Sequence, residues 1–167
     1  MATKTENRAK EQARTQLDSI IEMVKRLEHC QEGCKDREDC ELREKVIIEG
    51  LGFLYTTDHR TPTDEEWGQY HNEDEARQAI EEGPLSIEVR SDWHTPDTAG
   101  DSDEFMILLC TGGPAVRITG GLDSYCQPDS ARLEYQDWFT PWEHYLDTTS
   151  EEDEALLAYC QSFYFGD

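Results

Sequence analysis

Fifteen residues, FMILLCTGGPAVRIT from Phe105 to Thr119, limit the fold more than any other part of the chain. Phe105 to Cys110 is continuously apolar, which suits a central strand covered on both faces. Thr111-Gly112-Gly113-Pro114 turns the chain, and Ala115 to Thr119 returns antiparallel. A phosphate cradle is the competing reading of the glycines. It needs free backbone N–H groups at a helix start, and often a lysine. Here the loop joins two strands, Pro114 has no N–H, and no lysine occurs after Lys45.

The flanking sequence fits an antiparallel meander. Leu85, Ile87 and Val89 alternate with Ser86, Glu88 and Arg90, the period of a half-buried strand running on to Trp93. Ala131 to Trp138 reads as a further strand, with Leu133 and Tyr135 on one face. Two helices accompany them. Asn72 caps a short helix over Glu73 to Glu82, and Gly83-Pro84 ends it. Ser150 caps a last helix, with acids in its first turn and Leu156, Leu157, Cys160 and Phe163 directed at the sheet. The expected class is α+β: an antiparallel sheet of about four strands with helices on one face.

A helical hairpin is expected ahead of this sheet. Ala13, Leu17, Ile20, Val24 and Leu27 recur at steps of four and three, a seam like that of a coiled coil. This predicts a helix from about Asn7 to Cys30, stopped near Gly33, and a second helix from about Glu38 to Gly50. The division is then a helical segment, 1–49, and an acidic α+β domain, 50–167. Phe53, Tyr55, Trp67 and Tyr70 are expected at that domain's edge.

Charge narrows the function. The net charge of −23 is uneven: residues 1–49 carry 10 Lys/Arg and 12 Asp/Glu, whereas 50–167 carry 5 and 26. Such a field opposes direct nucleic-acid binding and favours a partner with a basic surface. No apolar run is long enough for a membrane span, and the first ten residues lack an apolar signal core, which predicts a cytoplasmic protein without membrane contact.

The strings FMILLCTGGPAVRIT, ARLEYQDWFTPW (131–142) and AYCQSFYFG (158–166) resemble a group of uncharacterised small acidic proteins of bacteriophages and mobile elements. The resemblance covers residues 85–167 and implies a genomic setting with no active site. By analogy with anti-CRISPR and anti-restriction proteins, it suggests an inhibitor of host defence.

Three groups of residues are candidates for chemistry. Cys30, Cys34 and Cys40, beside His29, offer sulfur ligands at a helix bend and are candidate ligands of a structural zinc, although their spacing departs from the two-residue knuckle. The competing reading is three ordinary cysteines on a charged turn, with no cofactor. Asp92-Trp93-His94 with Asp101, Asp103 and Glu104 could form an acid–base or hard-metal site, or a solvated loop. The third group is a partner-binding surface of carboxylates and aromatics, with Asp92, Asp101, Asp103, Glu104, Glu134, Asp137, Trp142, Glu143, Tyr145 and Asp147 as its candidates. Trp142 and Tyr145 are anchors there if exposed.

The sequence thus predicts a non-enzymatic inhibitor that binds a basic, nucleic-acid-handling host protein or complex, with mimicry of a duplex, whose phosphates occur every roughly 1.7 Å of axis, as the expected mode. The alternative is a self-associating structural or adaptor protein, a homodimer through residues 13–27.

Overall fold

The computed structural model describes residues 4–32, 68, 71–91, 102–138 and 140–166, with side chains from Arg8 onward. The expected second helix (38–50), the edge aromatics at 53, 55, 67 and 70, and Trp93 lie outside the described residues. Among those described, no helix is long and apolar enough to cross a membrane.

The fold is α+β, with three helices and five strands among the described residues. Helix α1 spans Lys4–Glu32, α2 Glu73–Glu81 and α3 Ser150–Cys160. The strands are β1 Ser86–Arg90, β2 Glu104–Cys110, β3 Ala115–Gly121, β4 Arg132–Gln136 and β5 Glu143–His144. They form one antiparallel sheet in the order β1-β2-β3-β4-β5. The meander follows from its short turns. Gly112, at φ +97, supplies the left-handed residue of the β2–β3 hairpin. The strand count is one above the expected four because the two-residue β5 pairs Glu134 with His144 and Tyr135 with Glu143.

The seam on α1 is the spine of the core. Ala9, Ala13, Leu17, Ile20, Val24 and Leu27 are all buried. From Ala13 to Leu27 the seam packs with Ala76 and Ile80 of α2, Leu156, Tyr159 and Cys160 of α3, and Phe105, Ile107, Val116, Ile118 and Leu133 of the sheet. Burying each leucine-sized side chain stabilises the fold by roughly 1.5–3 kcal/mol. This corrects the expectation that residues 13–27 form a dimer contact: the seam is covered within one chain. It also means that α1 and the sheet share one core across the expected boundary at residue 49.

The helices cover one face, as expected, but β2 is not buried on both sides. Phe105, Ile107 and Leu109 face the helices and are buried, whereas Met106, Leu108 and Cys110 are half-buried on the opposite face. The apolar side of the edge strand β1 is likewise open, with Leu85, Ile87 and Val89 exposed by 60%, 40% and 46%. The helix ends follow local chemistry. Asn72 Oδ1 accepts from the N–H groups of Asp74 and Glu75. Thr149, not Ser150, caps α3, through a reciprocal capping box with Glu152. Thr149 places Glu152 three positions on, where it reaches back to the cap N–H, whereas Ser150 would place the shorter Asp153 there.

Candidate protein-binding surface

The cations of α1 are matched with acids that lie far away in sequence. Lys10 Nζ is 2.5 Å from Asp147, Arg14 is 2.7 Å from Glu152, and Arg26 is 3.9 Å from Glu75. These contacts follow from α1 packing on both α2 and α3. Asp147 raises the Lys10 ammonium above its ordinary range through a hydrogen bond and its charge. Glu152 falls below the usual carboxylate value, first because the Thr149 N–H donates to it and then because of Arg14. The nearly balanced N-terminal segment therefore neutralises part of the acidic one.

The remaining charge is sorted by layer. Helices α2 and α3 together carry eight Asp/Glu and one Arg. Asp74, Glu81, Glu82, Glu151, Asp153 and Glu154 are exposed there. Acids in a first helical turn suit the macrodipole, which accounts for Glu73–Glu75 and Glu151–Asp153 without any partner. Glu81, Glu82 and Glu154 fall outside those turns and lack that local reason.

The uncovered face of the sheet is different. Arg90, Arg117 and Arg132 lie among Glu88, Glu104 and Glu134 around a shallow depression of about 620 Å³, floored by Met106, Thr119 and Gly121. Arg90 pairs with Glu104 opposite it on β2. Arg117 Nε donates to Glu134 at 2.7 Å, opposite it on β4. Its guanidinium also lies 4.1 Å from the Trp142 ring centroid, and such a contact adds roughly 0.5–2 kcal/mol. Three of the five Lys/Arg of residues 50–167 are thus spent on a single face, leaving it close to electrically neutral.

The expected partner-binding residues do not converge. Asp92 and Asp101 lie outside the described residues. Glu104 and Glu134 occupy the open face and are paired with arginines. Asp103 is exposed at the strand ends, where its N–H donates to the Arg90 carbonyl and its carbonyl accepts from the Leu122 N–H, each at 2.9 Å. Asp137 builds a turn, accepting from the Trp138 N–H at 2.9 Å. Glu143 accepts from the Tyr135 hydroxyl at 3.1 Å on the helix side of the sheet, and Asp147 meets Lys10. Trp142 is half-buried beneath Arg117. Tyr145 is only 5% exposed, edge-on to Tyr135 at 6.3 Å, which removes it as an exposed anchor. The tyrosine instead joins the core, with Lys10 Nζ of α1 5.9 Å from its ring centroid.

The cysteine group divides too. Cys34 and Cys40 lie outside the described residues. Cys30 packs against the core, and burial pushes its thiol up, which disfavours the thiolate a metal requires. Cys110 is pushed up by burial as well, and the fully buried Cys160 more strongly. No group of three or more His, Cys, Asp or Glu able to hold a metal occurs among the described residues.

The arginines of the open face were absent from the sequence-based site, and register was the signal that could have found them. Arg117 and Arg132 alternate with core residues on their strands, and Arg90 alternates with the apolar Ile87 and Val89. No protein-family model, curated protein or solved structure matches the chain.

Proposed function

We propose that this chain is a non-catalytic binding protein that engages a basic, nucleic-acid-handling protein through the acidic side formed by α2 and α3. One observation carries the reading. Charge is segregated: the open sheet face is nearly neutral, while two short helices carry eight carboxylates, of which only Glu73, Glu75 and Glu152 meet an arginine among the described residues. A field organised in this way accelerates encounter with a positively charged partner and orients it. The resemblance of residues 85–167 to mobile-element proteins supports an inhibitor of host defence as the biological setting.

Two sets of charge-reversal variants test the reading in capture from a bacterial lysate. The helix set is Glu81→Lys, Glu82→Lys, Glu151→Lys and Glu154→Lys; the sheet set is Glu88→Lys and Arg132→Glu. The helix set is expected to abolish capture of the basic partner, and the sheet set to retain it. The reverse pattern would transfer the interface to the open face and overturn the reading.

A further inference from the structure

The two edges of the sheet are built differently. The edge at β5 is two residues long, too short to template another strand. The edge at β1 is five residues long, and its register with β2 runs unbroken from Ser86↔Leu108 to Arg90↔Glu104. Among the described residues no strand pairs with its other side. Natural edge strands are blunted by proline, lysine, bulges or charges aimed inward. The strand β1 has none of these. Ile87 and Val89 stand opposite the buried Ile107 and Phe105, so they share the helix-side face, yet both are exposed, as is Leu85 before them. We propose that an extended segment of the basic partner adds to this edge as a further strand, its alternate apolar side chains covering Leu85, Ile87 and Val89 and its cationic end meeting Glu81 and Glu82. The proposal rests on the reading above that the partner is basic.

Backbone pairing supplies the first part of the fit. An edge strand directs half of its N–H and C=O groups away from its neighbour, and an incoming strand satisfies them. The period of two supplies the second part. Side chains of an added strand alternate between the faces, so every other residue falls beside Leu85, Ile87 and Val89 and takes them out of water.

Charge selects the occupant. Glu81 and Glu82 are exposed and stand just before Gly83-Pro84, at the head of β1. The Gly83 N–H donates to the Ile80 carbonyl at 3.2 Å and the Leu85 N–H to the Leu108 carbonyl at 2.7 Å, which ties these acids to the start of the strand. A second copy would bring another net charge of −23 to the same edge, so a cationic segment is favoured over self-pairing. The strand pairs of the sheet are all antiparallel. An added strand in that sense reaches the acids with its C-terminal end, which is where its cations belong.

The test uses the full chain and a capped peptide, Thr-Val-Thr-Val-Thr-Val-Lys-Lys, whose valines match Leu85, Ile87 and Val89 and whose lysines reach the acids. It is expected to bind in calorimetry and to slow amide exchange at those N–H groups of Ser86–Arg90 that do not bond β2. A peptide of the same composition with its valines contiguous should bind at least tenfold more weakly, and so should one ending in Glu-Glu. Ile87→Lys introduces the lysine that guards natural edges and should weaken binding to the same extent. Equal binding of the alternating and contiguous peptides would reduce the contact to charge alone and overturn the proposal. No binding, or unchanged exchange along β1, would also overturn it without touching the acidic-helix reading, which is decided by capture with the helix variants. A concentration-dependent dimer of the parent chain in sedimentation, abolished by Ile87→Lys, would assign the edge to a second copy and overturn it as well.

Discussion

Glu152 joins two parts of the fold that are distant in sequence: one carboxylate oxygen accepts from the Thr149 N–H at 2.8 Å, and the other meets Arg14 of α1 at 2.7 Å. The residue that closes the α3 cap therefore also fastens α3 to α1. Replacing it with alanine should destabilise the protein by about 1 kcal/mol near neutral pH, the usual size of a lost cap contact, with the ion pair adding little at a partly solvated site. The pH dependence has a definite sign. Because the folded-state pKa lies below the ordinary 4.5, the contribution is fully present above that value and is lost as pH falls through the folded pKa. Denaturant melts of the parent and Glu152→Ala should differ at pH 7 and converge in acid, once the pH has fallen through the lowered folded-state pKa. A gap that persists in acid would contradict the ionic role.

Gly120 is held in β3 by close approach rather than by backbone angle. A Cβ there would lie 1.9 Å from the Ser130 carbonyl oxygen and 2.6 Å from the Phe105 ring. Gly120→Ala must push β3 from its neighbours or displace a core ring, and should cost about 2 kcal/mol or more. Gly113→Ala, whose nearest neighbour would be Trp138 Nε1 at 4.0 Å, should stay within about 0.5 kcal/mol of the parent. Equal midpoints for the two variants would refute the packing argument.

The Tyr159 hydroxyl is buried with no hydrogen-bond partner among the described residues, and burial raises its pKa. An unsatisfied buried hydroxyl costs about 1–3 kcal/mol, and removing it returns part of that. Tyr159→Phe should therefore unfold at the same or a higher temperature. A loss exceeding about 1 kcal/mol would show that the hydroxyl has a partner, such as an internal water.

Leu17 is fully buried in the spine of the core. Leu17→Ala should cost about 2–5 kcal/mol without changing oligomeric state in light scattering. Removing residues 1–32 should abolish cooperative unfolding of the sheet. A truncated chain that still melts sharply would restore α1 as a separate, self-associating segment.

Much of this architecture is written locally. The 3.5-residue spacing from Ala13 to Leu27 located α1, and the Gly112-Gly113-Pro114 turn with its flanking runs located the central hairpin. Local chemistry falls short wherever the answer depends on a distant partner. The run Phe105–Cys110 looks buried on both faces because sequence cannot say how many layers cover a sheet. The α1 seam resembles a dimer contact because an apolar stripe is the same whether α2, α3 and the sheet cover it or a second chain does. Charge misleads in the same way. Glu104, Glu134 and Asp147 appear as unmatched acids until the register places Arg90 and Arg117, and helix packing places Lys10, beside them.

The most direct measurement of the central claim is the association rate with the captured basic partner, followed from about 50 to 300 mM salt in the parent and in the four-residue helix variant. Screening shortens the reach of surface charge across that range. The parent should lose rate steeply as salt rises, while the helix variant should start slow and respond weakly. A flat salt profile in the parent, or equal profiles for the two proteins, would show that recognition does not run through the acids of α2 and α3.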